Sequence, residues 1–112
     1  MKLSLLAPLV LAASLAAFAQ QPMPRITSVD PVFGKAGDVI KASGQNLAKV
    51  HVAKLYLTDE KHDVPVELIE QTPTTLKFKI PAKAMTGSFA LMVLTTGNAP
   101  KLIEEPVRLN VE

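Results

Sequence analysis

Thr74-Thr75-Leu76-Lys77-Phe78-Lys79-Ile80-Pro81 alternates apolar and charged residues and ends on a proline. Successive side chains of a β-strand point to opposite faces, so Leu76, Phe78 and Ile80 are expected inward and Lys77 and Lys79 outward. Pro81 has no amide to donate and closes the strand. Beyond it, Pro81-Ala82-Lys83-Ala84-Met85 could form one helical turn at most, because Gly87 follows. No window of the chain carries a sustained helical stripe.

Working outward, runs of the same kind recur, broken by Gly, Pro, Asn or Asp at intervals of about ten residues, the pattern of an all-β chain. Strands are expected at 26–29, 39–43, 52–58, 64–70, 75–80, 88–95 and 102–111, about seven in all. Asp30-Pro31 stops the first, and Gly37 and Gly44 bracket the second. Pro65 makes the start of the fourth an edge, and Pro106 marks a break or an edge in the last. Alternation places Ile40, Ala42, Leu55, Leu57, Phe89, Leu91, Val93, Val107, Leu109 and Val111 inward. Lys41, Ser43, Lys54, Tyr56, Thr58, Arg108 and Asn110 then face outward. Two layers of such strands make a β-sandwich.

The chain has 112 residues, 12 Lys plus Arg against 10 Asp plus Glu, and no Cys. This length fits one domain. The near balance of charge excludes a strongly basic nucleic-acid binder and an acidic tail. Without Cys there is no disulfide framework, thiolate metal site, cysteine nucleophile or lipidated cysteine.

Residues 1–19 read as a secretory signal peptide. Lys2 supplies the positive start, residues 5–16 are apolar apart from Pro8 and Ser14, and Ala17-Phe18-Ala19 is a small-x-small cleavage site. The apolar run is shorter than the about 20 residues of a membrane span. Cleavage after Ala19 is therefore expected, with no stable membrane anchor afterwards. Residues 20–25 form a short leader, and the domain occupies 26–112.

Pro24-Arg25-Ile26-Thr27-Ser28-Val29-Asp30-Pro31, then Gly34, Gly37-Asp38, and Val39-Ile40-Lys41-Ala42-Ser43-Gly44-Gln45-Asn46-Leu47 resemble the opening of an IPT/TIG domain. Thr74 to Pro81 and Gly87-Ser88-Phe89-Ala90-Leu91-Met92-Val93 resemble its later strands. This family has an immunoglobulin-like fold of E-set type, found in plexins, Rel-type transcription factors and many bacterial surface proteins. The resemblance covers essentially all of 24–112. It implies a binding or spacing module and no one ligand; taken with the signal-peptide pattern, the expectation is an exported, non-catalytic module of bacterial kind, periplasmic or extracellular. Pro31, Gly34 and Gly37 would let the first strand swing between sheets, Gly44 would permit a close turn, and Leu47 would plug the core. Plexin-like members carry disulfides, which this chain lacks. Rel-type members bind DNA through basic loops. Here no loop holds an Arg/Lys cluster, so nucleic acid is not an expected partner.

Little points to catalysis. Ser43 and Ser88 lie outside any Gly-x-Ser-x-Gly, and Glu104-Glu105, being adjacent, should point to opposite faces of a strand as ordinary solvated carboxylates. His62 among Asp59, Glu60 and Asp63 has no recognised ligand spacing and reads as a solvated loop. His51 is expected exposed. No catalytic residue, metal site or cofactor is assigned. Two outward surfaces stand out. One is basic, Lys41, Lys77 and Lys79, if the second and fifth strands pair. The other is apolar: the sixth strand carries Ala90, Met92 and Leu94 outward, with Tyr56 beside them, where a solvated sheet should be polar. Either a protein partner or the chain's own segment 98–103 could cover this stripe. A glycan partner ranks second, since sugar sites stack on exposed aromatics and Tyr56 is the one Tyr, with no Trp.

Overall fold

The structure, a computed structural model, describes residues 23–112. The expected signal peptide and its expected cleavage site lie outside the described residues. Among the described residues nine strands are formed: β1 (Arg25–Asp30), β2 (Phe33–Gly34), β3 (Val39–Gln45), β4 (Val52–Thr58), β5 (Asp63–Pro65), β6 (Glu67–Gln71), β7 (Thr75–Lys79), β8 (Gly87–Thr95) and β9 (Leu102–Val111). They build a four-stranded sheet in the order β1-β3-β7-β6 and a five-stranded sheet in the order β2-β9-β8-β4-β5. The two sheets enclose one apolar core, a β-sandwich of immunoglobulin-like kind.

Alternation reads correctly through that core. Ile40, Ala42, Leu57, Leu76, Phe78, Leu91, Val93 and Leu109 are fully buried, and Leu55, Ile80, Phe89 and Val111 nearly so. Val107 is half-buried against them. Each large aliphatic side chain withdrawn in this way contributes about 1.5–3 kcal/mol. Leu47 does plug one end of the core, fully buried after Asn46, which adopts a left-handed φ of 57°. Asn46 Nδ2 donates to the Met23 carbonyl (3.0 Å), and Gln71 Nε2 donates to the carbonyls of Leu47 (2.9 Å) and Val52 (3.0 Å).

Two expected strands each serve both sheets. The first runs as β1 beside β3 and continues, past Pro31, as β2 parallel to β9. The glycine-rich stretch after it accommodates the crossing: Gly37 takes φ 90°, and a Cβ on Gly34 would stand 3.0 Å from Ile80 Cδ1. The expected single strand 64–70 is two strands. β5 pairs with β4, Val66 still donates to the Leu55 carbonyl (3.1 Å), and the chain then enters β6 beside β7. Pro65 ends the first half because it cannot extend a ladder. Gly44 lies inside β3 rather than in a turn, where the backbone of β1 crosses close above it. Thr58, expected outward, is buried, with its hydroxyl donating to Asp63 Oδ1 (2.7 Å) across the β4–β5 hairpin.

Candidate functional site

The outer face of the five-stranded sheet is set by register. On β8, Met92 lies directly between Tyr56 of β4 and Glu104 of β9, and Leu94 lies between Lys54 and Leu102. Pro65 on β5 continues the Tyr56 row to the edge. The structure therefore brings Tyr56, Met92 and Leu94 together on one face, as parity requires. Met92, Leu94 and Tyr56 are half-buried, and Leu102 beside them is exposed. Leu102 enters the sheet as a β9 residue paired to Leu94, so this part of the 98–103 segment borders the stripe at its own level in the sheet. The result is an apolar band edged by Lys54 on one flank and Glu104 on the other. Ala90, expected to share this open stripe, is buried instead, because its small side chain lies between Thr58 and Arg108.

The basic surface lies on the outer face of the other sheet. β3 and β7 do pair, and Lys41 stands opposite Lys77 while Lys79 stands opposite Val39. The flanking strands answer each lysine with a carboxylate in the same row: Asp30 opposite Lys41, Glu70 opposite Lys77 and Glu67 opposite Lys79. Lys77 Nζ and Glu70 Oε2 are 3.5 Å apart. Opposite charges across strands attract where the two facing lysines repel. The face is a neutralised band rather than a free positive field.

The 59–63 turn is a local hydrogen-bonded unit. Asp59 Oδ1 accepts from the amides of Lys61 (3.0 Å) and His62 (2.6 Å), and Oδ2 meets His62 Nδ1 at 3.3 Å. The His62 amide above all holds the Asp59 carboxyl below its ordinary value, against some desolvation. Among the described residues no group of three or more His, Asp or Glu is arranged to hold a metal ion. His51, expected exposed, is half-buried; its carbonyl accepts from the Thr96 amide (3.3 Å), and it lines a cleft of about 420 Å³ with Met23, Val50, Thr96 and Lys101.

Sequence reasoning missed Glu105. It is no ordinary solvated carboxylate but is buried, 4% exposed, and Oε1 accepts the Ile26 amide at 2.7 Å. The sign available in the sequence was Pro106 next to it, which marks irregular pairing in β9. Burial pushes the Glu105 carboxyl above its ordinary value, opposed by the Ile26 amide and the charge of Arg25.

A family comparison settles what these sheets are. The IPT/TIG domain family matches residues 24–104. The chain belongs to that family. No curated protein matches it. Among solved structures, this IPT/TIG domain is similar to a protein of unknown function from Bacteroides thetaiotaomicron, with 25% identity and a TM-score of 0.65 over 82% of this chain and 23% of that one. It is also similar in fold to an auxiliary nutrient binding protein from Bacteroides ovatus, with 19% identity and a TM-score of 0.58 over 82% of this chain and 21% of that one. A third is SGBP-B of the Bacteroides ovatus mixed-linkage glucan utilization locus, in complex with a mixed-linkage heptasaccharide, with 17% identity and a TM-score of 0.57 over 82% of this chain and 24% of that one. The IPT/TIG domain thus spans about a quarter of the length of each of these structures.

Proposed function

We propose that this IPT/TIG domain is an exported, non-catalytic module that acts by protein interaction or as a structural spacer in the cell envelope or outside the cell. The signal-peptide pattern of 1–19 supports export. The observation that carries the interaction role is the apolar outer band of Tyr56, Met92, Leu94 and Leu102, on a sheet face that solvent alone would favour as polar. The partner it fits is a protein with a flat apolar surface, because central apolar anchors carry most interface energy. The opposite sheet, with Lys41, Lys77 and Lys79 matched by carboxylates, is the weaker candidate.

The test replaces Met92 and Leu94 together by Ser. Envelope proteins captured by the wild-type domain and identified by mass spectrometry should be lost with this variant and kept with Lys41→Gln/Lys79→Gln. Retention by the Met92/Leu94 variant, with the fold intact by circular dichroism, overturns the assignment of the face. Mass spectrometry of the exported protein should also find Gln20 at the N-terminus.

A glycan-binding role is the second reading. It is favoured by the fold shared with a sugar-bound protein and by Tyr56 lying in the same band, beside Pro65. Titration with a mixed-linkage glucan oligosaccharide, for wild type and Tyr56→Ala, separates the two readings: heat of binding that vanishes with Tyr56→Ala selects the glycan.

A further inference from the structure

Glu105 sits at the largest irregularity of β9. Ala90 pairs with Arg108 and Met92 with Glu104, so Leu91 alone stands opposite Glu105, Pro106 and Val107. A bulge of this kind redirects side chains. Here it sends one carboxylate across the open side of the sandwich, from β9 in one sheet to the Ile26 amide of β1 in the other. β1 is an edge strand, and its register to β3 shifts between Ile26 and Ser28. The Glu105 side chain therefore satisfies the Ile26 amide at the irregular point of that edge. The second oxygen, Oε2, is buried with no hydrogen-bond partner among the described residues.

The surroundings hold few charges. A cleft of about 350 Å³ beside Glu105 is lined by Arg25 and Pro24 of the β1 side, Gln45 of β3, and Glu104 and Ile103 of β9. Among the described residues Arg25 is the one cation and Glu104 the one other carboxylate in that lining. β8 has no titratable side chain, and Lys41, the one on β3, lies at the far end, opposite Asp30. Among the described residues no buried cation compensates an ionised Glu105. A neutral carboxyl can accept the Ile26 amide through one oxygen without burying charge, whereas a carboxylate in the same position keeps one strong hydrogen bond but loses its hydration. The neighbouring cleft gives the ionised side chain a route to water.

We propose that Glu105 is a proton-dependent latch: protonated, it fastens the start of β1 to β9, and ionised, it turns into the cleft beside Arg25 and releases the Ile26 amide. The upward displacement of the carboxyl by burial agrees with this geometry. The latch controls how firmly the first strand is held to the sandwich.

The experiment is amide hydrogen exchange on the whole domain between about pH 4 and pH 8, with Glu105 titrated in parallel through its side-chain carboxyl carbon resonance. Protection of Ile26, expressed against the unstructured rate at each pH, should fall by about tenfold or more across the Glu105 titration, while Leu91 in the central strand keeps its own. Glu105→Gln retains an acceptor without a titrating proton, and should hold Ile26 protection constant over the range. Glu105→Ala should leave Ile26 unprotected at every pH. Constant Ile26 protection in the wild type through the Glu105 titration overturns the latch. So does a carboxyl that titrates at or below its ordinary value, a result that stands even where the Ala variant does not fold.

Discussion

Gly44 lies directly against the Arg25 carbonyl, so close that a Cβ on Gly44 would overlap that oxygen and crowd Ile26 Cα at 2.9 Å. The obstacle is backbone on both sides, since Arg25 and Gln45 are ladder partners and Ile26 pairs with Gly44 itself. Gly44→Ala should therefore destabilise the domain by about 2 kcal/mol or more, at the upper end of overpacking costs. A chemical-denaturation midpoint that falls with an unchanged slope is the expected result. Wild-type stability in this variant would mean that β1 can lift off β3 at no cost.

Leu91 and Met92 are neighbours on β8 with opposite fates. Leu91 is fully buried against the core, whereas Met92 is half-buried between Tyr56 and Glu104. Leu91→Ala should cost about 2–5 kcal/mol, the transfer term plus the cavity left behind. Met92→Ala should cost well under half of that, because solvent already reaches its site. A greater loss for Met92→Ala than for Leu91→Ala in two denaturation curves would place the faces of β8 the other way round.

This alternation was legible because period-two patterning is local: Leu76, Phe78 and Ile80 read inward from eight consecutive residues, and Tyr56, Met92 and Leu94 share a face by parity. What was not legible depends on pairing between distant segments. Residues 64–70 look like one strand, yet Val66 is where the chain leaves β4 for β7, a choice made by the neighbouring sheets. Glu105 reads as solvated because only the mismatch between β8 and β9 turns it under β1. Thr58 and Ala90 follow the expected parity but are buried, since exposure on a sheet face depends on the side chains in the adjoining rows.

Glu105 also gives the domain a pH dependence of defined sign. Its carboxyl is raised in the folded state above the ordinary 4.5. The folded protein then binds more protons than the unfolded chain in the interval between the two values, so stability falls as pH rises through it. The contribution is fully present below the unfolded value and is lost once pH exceeds the folded one. Asp59, lowered from 3.8, acts in the opposite sense and at more acid pH, so the Glu105 effect is read from about pH 4.5 upward. Urea midpoints measured across that range should decline for the wild type and decline less for Glu105→Gln. Parallel curves for the two proteins would show that Glu105 titrates alike in both states.

Gln71 ties the last residue of β6 to the far side of the sandwich. Its single amide nitrogen donates to the carbonyls of Leu47, where the core is plugged, and Val52, where β4 begins. These carbonyls bracket the 48–51 turn, whose own hydrogen bonds run from the His51 and Val52 amides back to Ala48. Gln71→Leu keeps much of the volume but removes both donors, and leaving such acceptors unsatisfied costs about 1–3 kcal/mol. Gln71→Glu should cost at least as much at neutral pH, because a carboxylate has no proton to donate and would face two carbonyl oxygens. Gln71→Leu with wild-type stability would mean that water replaces both bonds without penalty. A loss confined to Gln71→Glu would mean that repulsion, and not the missing donor, sets the cost. The expected result is a lower denaturation midpoint in both variants, with the greater loss for Glu and with amide exchange accelerated first at His51 and Val52.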